Sequence, residues 1–82
     1  MGLKTAFGRK RRQFVALITR LRKASGLTQV EVAARLGTDQ STYSKIEKGV
    51  RRMDVVEFVA WAEAIGAEPS DVLAELRRTA RR

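Results

Sequence analysis

The chain has 82 residues, enough for one small core and not for a second, and it carries Lys+Arg 17 against Asp+Glu 9 for a formal net charge of +8. With Cys 0 and His 0, disulfides, thiolate nucleophiles, imidazole bases and the usual zinc and iron sites are excluded, so neither an enzyme nor a cofactor is expected. The whole cationic excess lies in residues 1–23, which hold eight Lys or Arg and no acid, and a surface of that sign attracts polyanions.

Residues 1–10, with Gly2, Gly8 and little periodicity, read as a flexible basic arm ahead of the domain proper. From about Arg11 a helix begins, because Phe14, Leu17, Ile18 and Leu21 recur at i, i+3, i+4 and i+7. Ser25-Gly26 ends it, with Lys23 in the last turn where the helix dipole favours a cation. Thr28 and Glu31 have the spacing of a capping box and open a second, short helix with Val32, Ala33 and Leu36 on its apolar face. Gly37 breaks that helix, Asp39 caps a third, and the segment Gln40 to Lys48 offers only Tyr43 and Ile46 to a core before Gly49 stops it.

A loop over residues 49–53 precedes a further capping box, Asp54 with Glu57, that starts a fourth helix. Its expected buried stripe is Val55, Phe58, Val59, Ala62 and Ile65, with Trp61 at an edge of the core. Pro69 and Ser70 open a fifth helix bearing Val72, Leu73 and Leu76, and a basic tail occupies 79–82. The expected architecture is all-α, a compact five-helix domain over 11–78, without strands or internal repeats. The longest apolar runs, Phe14 to Ile18 and Phe58 to Ala62, fall far short of the roughly 18 residues that cross a bilayer. No stretch reaches the roughly 7 to 15 residues of a signal-peptide core either, so a cytoplasmic, nucleoid-associated location without membrane contact is expected.

Helices two and three are short, capped and separated by a few residues around Gly37, with small Ala33 allowing close approach and a hydrophilic third helix free to project. That is helix-turn-helix organisation, and such a helix fits the major groove of B-form DNA. The chain resembles the Cro/repressor-like (XRE-type) helix-turn-helix regulators through Leu-Arg-Lys-Ala-Ser-Gly-Leu-Thr-Gln (21–29), Val-Ala-Ala-Arg-Leu-Gly (32–37), Ser-Lys-Ile-Glu-Lys-Gly (44–49) and Asp-Val-Val-Glu-Phe (54–58). The resemblance runs from about Arg20 to Leu76 and implies a lambda-repressor-like fold. It implies that Gln29 touches a phosphate and braces Gln40, that Gln40 reads a base, and that Arg22 and Glu47 form an ion pair tying the first helix to the third.

Ser41, Thr42 and Lys45 are the other candidates for base contact, and Ser44, Lys48, Arg51 and Arg52 join Gln29 as candidates for phosphate contact. Thr38 stands where the family that the chain resembles usually has a small aliphatic residue, and Tyr43 replaces an Ile or Val at a core-facing position, where it is expected to bury its ring while its hydroxyl stays wet. The carboxylates at Glu31, Asp54 and Glu57 have cap spacing and need no catalytic role. The expected function is a sequence-specific repressor of transcription, a homodimer on a palindromic operator in double-stranded DNA, dimerised through Val72, Leu73 and Leu76. The alternative is an antitoxin-type module that binds a toxin partner and represses its own operon. Arg77, Arg78, Arg81 and Arg82 read as a helix-end or tail feature.

Overall fold

A computed structural model of the chain describes the backbone of residues 2–80 and the side chains of residues 8–79. Five helices follow in order: α1 (Gly2–Ala24), α2 (Gln29–Arg35), α3 (Gln40–Glu47), α4 (Val55–Ala64) and α5 (Pro69–Ala80), with no strand among the described residues. The expected all-α, five-helix class is thus the observed one. α1 starts nine residues earlier than its apolar stripe announces, since residues 2–10, expected as an arm, continue the helix. Once a helix is nucleated each added residue gains a hydrogen bond, and Lys, Arg, Leu and Ala extend it readily; Gly8 costs only about 1 kcal/mol. Met1 and the tail residues Arg81 and Arg82 lie outside the described residues.

The caps set the turns. The Thr28 hydroxyl accepts from the Glu31 amide at 3.1 Å while the Glu31 carboxylate accepts from the Thr28 amide at 2.8 Å. Asp54 and Glu57 repeat the exchange at 2.7 and 2.9 Å. Between α2 and α3, Gly37 takes φ +74°, its N–H bonds to the Ala34 carbonyl and that of Thr38 to the Ala33 carbonyl, which satisfies the last carbonyls of α2 and reverses the chain within four residues. Ala33, 1% exposed, lets the two helices close on each other.

The core collects Leu17 and Ile18 of α1, Val32 and Ala33 of α2, Tyr43 and Ile46 of α3, Phe58, Trp61 and Ala62 of α4 and Val72 of α5. Trp61 is fully buried at its centre, contrary to the edge position expected, with the Phe58 ring stacked at 5.9 Å. Val55 (78% exposed) and Val59 (38% exposed) are correspondingly outside. The helix has rolled so that Phe58, Trp61, Ala62 and Ile65 face inward, and size decides the roll. An indole removes up to about 250 Å² from water, worth several kcal/mol at about 25 cal/mol per Å², which two valines at the stripe's other margin do not match.

A second correction concerns α5. Val72 is 3% exposed and Leu76 packs on the core, so of the three residues expected at a dimer interface only Leu73, 51% exposed, remains on the surface. These side chains supply the attachment of α5 to its own domain, an attachment reinforced by an exposed ion pair between Arg20 and Glu75. Truncating Trp61 to Ala should cost about 3 to 5 kcal/mol in urea unfolding, and Val55→Ala or Val56→Ala no more than about 0.5. Equal costs for Trp61 and Val55 would restore the sequence-derived stripe.

Candidate nucleic-acid interface

The third helix is held by a single carboxylate. Glu47, at the last turn of α3, has a side chain only 4% exposed, facing Arg22 near the end of α1, itself 8% exposed at the side chain. The guanidinium grips it at both oxygens: Arg22 Nε donates to Oε2 at 2.7 Å and Nη2 to Oε1 at 3.0 Å. The Tyr43 hydroxyl, one helical turn earlier, donates to Oε2 at 2.6 Å, and Gln29 Nε2 of α2 donates to Oε1 at 2.9 Å. Each carboxylate oxygen therefore accepts two hydrogen bonds, the full complement of its lone pairs. The remaining Arg22 nitrogen, Nη1, donates to the Leu27 carbonyl at 2.9 Å, which pins the turn between α1 and α2 to the same cluster.

The electrostatics follow from that geometry. Burial pushes the Glu47 carboxyl up, but the hydrogen bonds from Arg22, Tyr43 and Gln29 outweigh it and hold the group below the usual carboxylate range. Arg22 is held above its ordinary value by its bond to Glu47, against the opposing effect of burial. The Tyr43 hydroxyl is pushed up by burial and by the adjacent Glu47 carboxylate. It is not wet, as the sequence suggested: Tyr43 is fully buried and its oxygen accepts from Trp61 Nε1 at 3.0 Å. The i, i+4 spacing of Tyr43 and Glu47 on one helix was the available signal for this contact. The Trp61 link is nonlocal and had none.

From the carboxylate the network runs outward. An acceptor-only carboxylate requires the Gln29 amide to turn its NH₂ inward, so its Oε1 faces out, where it accepts from Gln40 Nε2 at 2.7 Å. Gln40, exposed at the first position of α3, keeps one N–H and its carbonyl oxygen unengaged in this chain of bonds. One donor beside one acceptor is the pattern that the major-groove edge of adenine complements. At the same helix end Asp39 caps the Thr42 amide at 2.7 Å and accepts from the Ser41 hydroxyl at 3.0 Å, contacts that lower its pKa.

The remaining candidates separate by exposure. Ser41, Lys45 and Lys48 lie on the solvent side of α3 at i, i+4 and i+7, with Gln40 beside them. Thr42 is half-buried and lines a small cleft with Thr38, Met53 and Glu57, turned from that stripe. Ser44, expected against phosphate, is 9% exposed, because it follows Tyr43 on the side where α3 meets the body of the domain. Arg51 is exposed but paired with Glu57 at 2.8 Å, and Arg52 is exposed with no ion pair among the described residues. No group of three or more acidic side chains that could hold a metal occurs among the described residues. No helix there is long and apolar enough to cross a membrane.

A helix-turn-helix family model matches residues 18–72. Over 96% of its length the chain is similar to a solved XRE-family like protein from Pseudomonas syringae pv. tomato str. DC3000, with 38% identity, 98% of that chain covered and a TM-score of 0.83. The clp gene regulator ClgR from C. glutamicum shares the fold at 24% identity, covering 85% of this chain and 91% of that one, with a TM-score of 0.76. Among curated proteins, an uncharacterized HTH-type transcriptional regulator, y4dJ of Sinorhizobium fredii, is 45% identical over 47 residues. The match spans 57% of this chain and 61% of that relative.

The depressed carboxyl of Glu47 gives the network a pH signature. The unfolded chain binds this proton at a higher pH than the folded one, so the stabilisation is complete above about pH 5 and is lost as pH falls through the native value. Glu31, Asp39 and Glu57 are lowered too and add slope of the same sign. Glu47→Gln should cost about 3 to 5 kcal/mol near neutrality, by leaving the Arg22 charge buried without its counterion, and should flatten the acid limb in urea titrations. An acid limb as steep as that of the parent would contradict the assignment.

Proposed function

Because the chain belongs to the XRE-type helix-turn-helix family, whose members are DNA-binding proteins and not enzymes, we propose that it is a sequence-specific regulator of transcription, acting as a repressor. In this reading α3 enters the major groove of double-stranded DNA, with Gln40, Ser41 and Lys45 toward base edges and Gln29, Lys48 and Arg52 toward phosphates. The observation that carries it is the hydrogen-bonded series from Glu47 through Gln29 to Gln40, which holds a donor and an acceptor at the exposed start of α3. A side chain so placed can take adenine N7 and N6 together, an arrangement worth about 1 to 3 kcal/mol of discrimination.

Dimerisation on a palindromic operator belongs to the proposal on grounds of size, since one small module buries too little surface for tight specific binding. With Val72 and Leu76 committed to the core, the exposed apolar residues of α4 are the surface we assign to a second copy, since Val55 and Val56 are 78% and 79% exposed beside Val59. A two-fold contact needs only one such self-complementary patch.

Selection of binding sites from random duplexes tests the whole reading. It should return palindromes with half-sites about one helical turn apart. Gln40→Ala should then relax preference at one position per half-site, whereas Arg52→Ala should weaken all sequences alike and lower the salt slope by about 2, one phosphate for each protomer. Recovery of no consensus, or a consensus unchanged by Gln40→Ala, would contradict the assignment of the reading face.

A further inference from the structure

Apart from Arg20 and Arg22, which pair with Glu75 and Glu47, the described cations of α1 are absorbed neither by the fold nor by the recognition helix. Gly49, just past α3, sits so close to α1 that an added Cβ would lie 3.9 Å from Val15 Cγ2. This contact draws the basic end of α3 and the loop after it beside the most basic stretch of the chain. Two clefts result. One, an open groove of about 630 Å³, has Val15 and Ala16 in its lining and carries Arg11, Arg12, Lys23 and Lys48 around them. The other, of about 230 Å³, brings Lys10 and Arg11 together with Arg51 and Arg52.

Arg11 lines both clefts, so the positive surface is continuous from the N-terminal half of α1 to the positions assigned to phosphate. Among the described residues, Lys10, Arg11, Arg12, Lys23, Lys48 and Arg52 form no ion pair. The one acid in the lining, Glu47, has both oxygens occupied by four donors. Gathering unneutralised like charges on one face works against the folded state, so a stable fold gains nothing from the arrangement. A regularly spaced polyanion does complement it. Twenty-three residues of helix extend about 35 Å, close to the pitch of B-form DNA, so α1 is long enough to follow a phosphate strand.

We infer that the N-terminal half of α1, through Arg11 and Arg12 with Lys10 beside them, is a second phosphate-binding surface that lengthens the DNA footprint beyond the helix-turn-helix. This rests on the DNA-binding reading, and it assigns to these residues affinity without sequence readout. The lining of the larger groove is part apolar, and an acidic peptide is the other chemistry it could hold.

The test is the salt dependence of binding to a selected duplex of about 30 base pairs, for the parent, R11Q/R12Q and the charge-matched control R77Q/R78Q. Thermal unfolding establishes that each variant is folded, and R11K/R12K restores the charge. R11Q/R12Q should lower the slope of log K against log salt by about 4, two phosphates for each protomer of the dimer, losing roughly a hundredfold less affinity than the parent between about 50 and 200 mM salt. Its consensus sequence should not change. The control and R11K/R12K should keep the parental slope. A parental slope in R11Q/R12Q, with binding intact, overturns this inference and leaves the proposed function standing; equal losses in R11Q/R12Q and R77Q/R78Q overturn it in favour of net charge alone. Loss of binding to a polyglutamate peptide with the DNA slope unchanged overturns it in favour of an acidic protein partner. A parent that binds no duplex overturns both readings.

Discussion

The Glu47 carboxylate is the point on which the structure turns. Taking a carboxylate and a guanidinium out of water costs several kcal/mol for each ion, and the attraction between them repays this only when the geometry is close and every lone pair is filled. Here every lone pair is filled, from three different helices. A well-packed apolar pair of similar volume could hold α1 to α3 as firmly, so stability alone does not account for the ion pair. What an apolar pair could not do is orient an amide. By demanding a donor from Gln29, the carboxylate fixes which way that side chain points and therefore what Gln40 shows to solvent.

The same cluster links core and surface. Trp61 at the centre of the core donates to Tyr43, Tyr43 to Glu47, and the guanidinium of Arg22 closes onto the turn that leads into α2. A buried network of this kind is unforgiving, since one missing partner leaves a polar group stranded in low dielectric. Its rigidity suits the exposed end. A base-reading side chain that wandered among rotamers would spend part of its discrimination on ordering itself.

Local chemistry was readable along the chain wherever one residue decides it. Thr28 with Glu31, Asp54 with Glu57, Asp39, Gly37 and Gly49 mark helix ends because caps and left-handed turns depend on neighbours in sequence. The facing of α1 was equally plain from its stripe. α4 was not, because Val55, Phe58, Val59, Ala62 and Ile65 and the inward set containing Trp61 are both acceptable helical stripes, and packing against α2 and α5, with Trp61 bonded to Tyr43 of α3, chose between them. The arm ahead of Arg11 was misread because a polar helix end has no periodicity to announce it. Val72 and Leu76 looked available for a partner only because sequence does not say which apolar face its own domain will cover. At the candidate site, the resemblance supplied Arg22, Glu47, Gln29 and Gln40, and the i, i+4 spacing carried the Tyr43 contact to Glu47, while the part of Trp61 required three-dimensional contact. The basic groove between α1 and the end of α3 is likewise a product of packing, invisible in a run of arginines.

The role of Glu47 is open to an NMR titration that follows its side-chain carboxyl carbon and the Gln29 side-chain amide in the same samples. Glu47 should titrate clearly below the ordinary glutamate value of about 4.3, and the Gln29 amide should shift with that same midpoint. A carboxyl titrating at or above the ordinary value, or a Gln29 amide indifferent to it, would contradict the claim that this carboxylate sets the reading face.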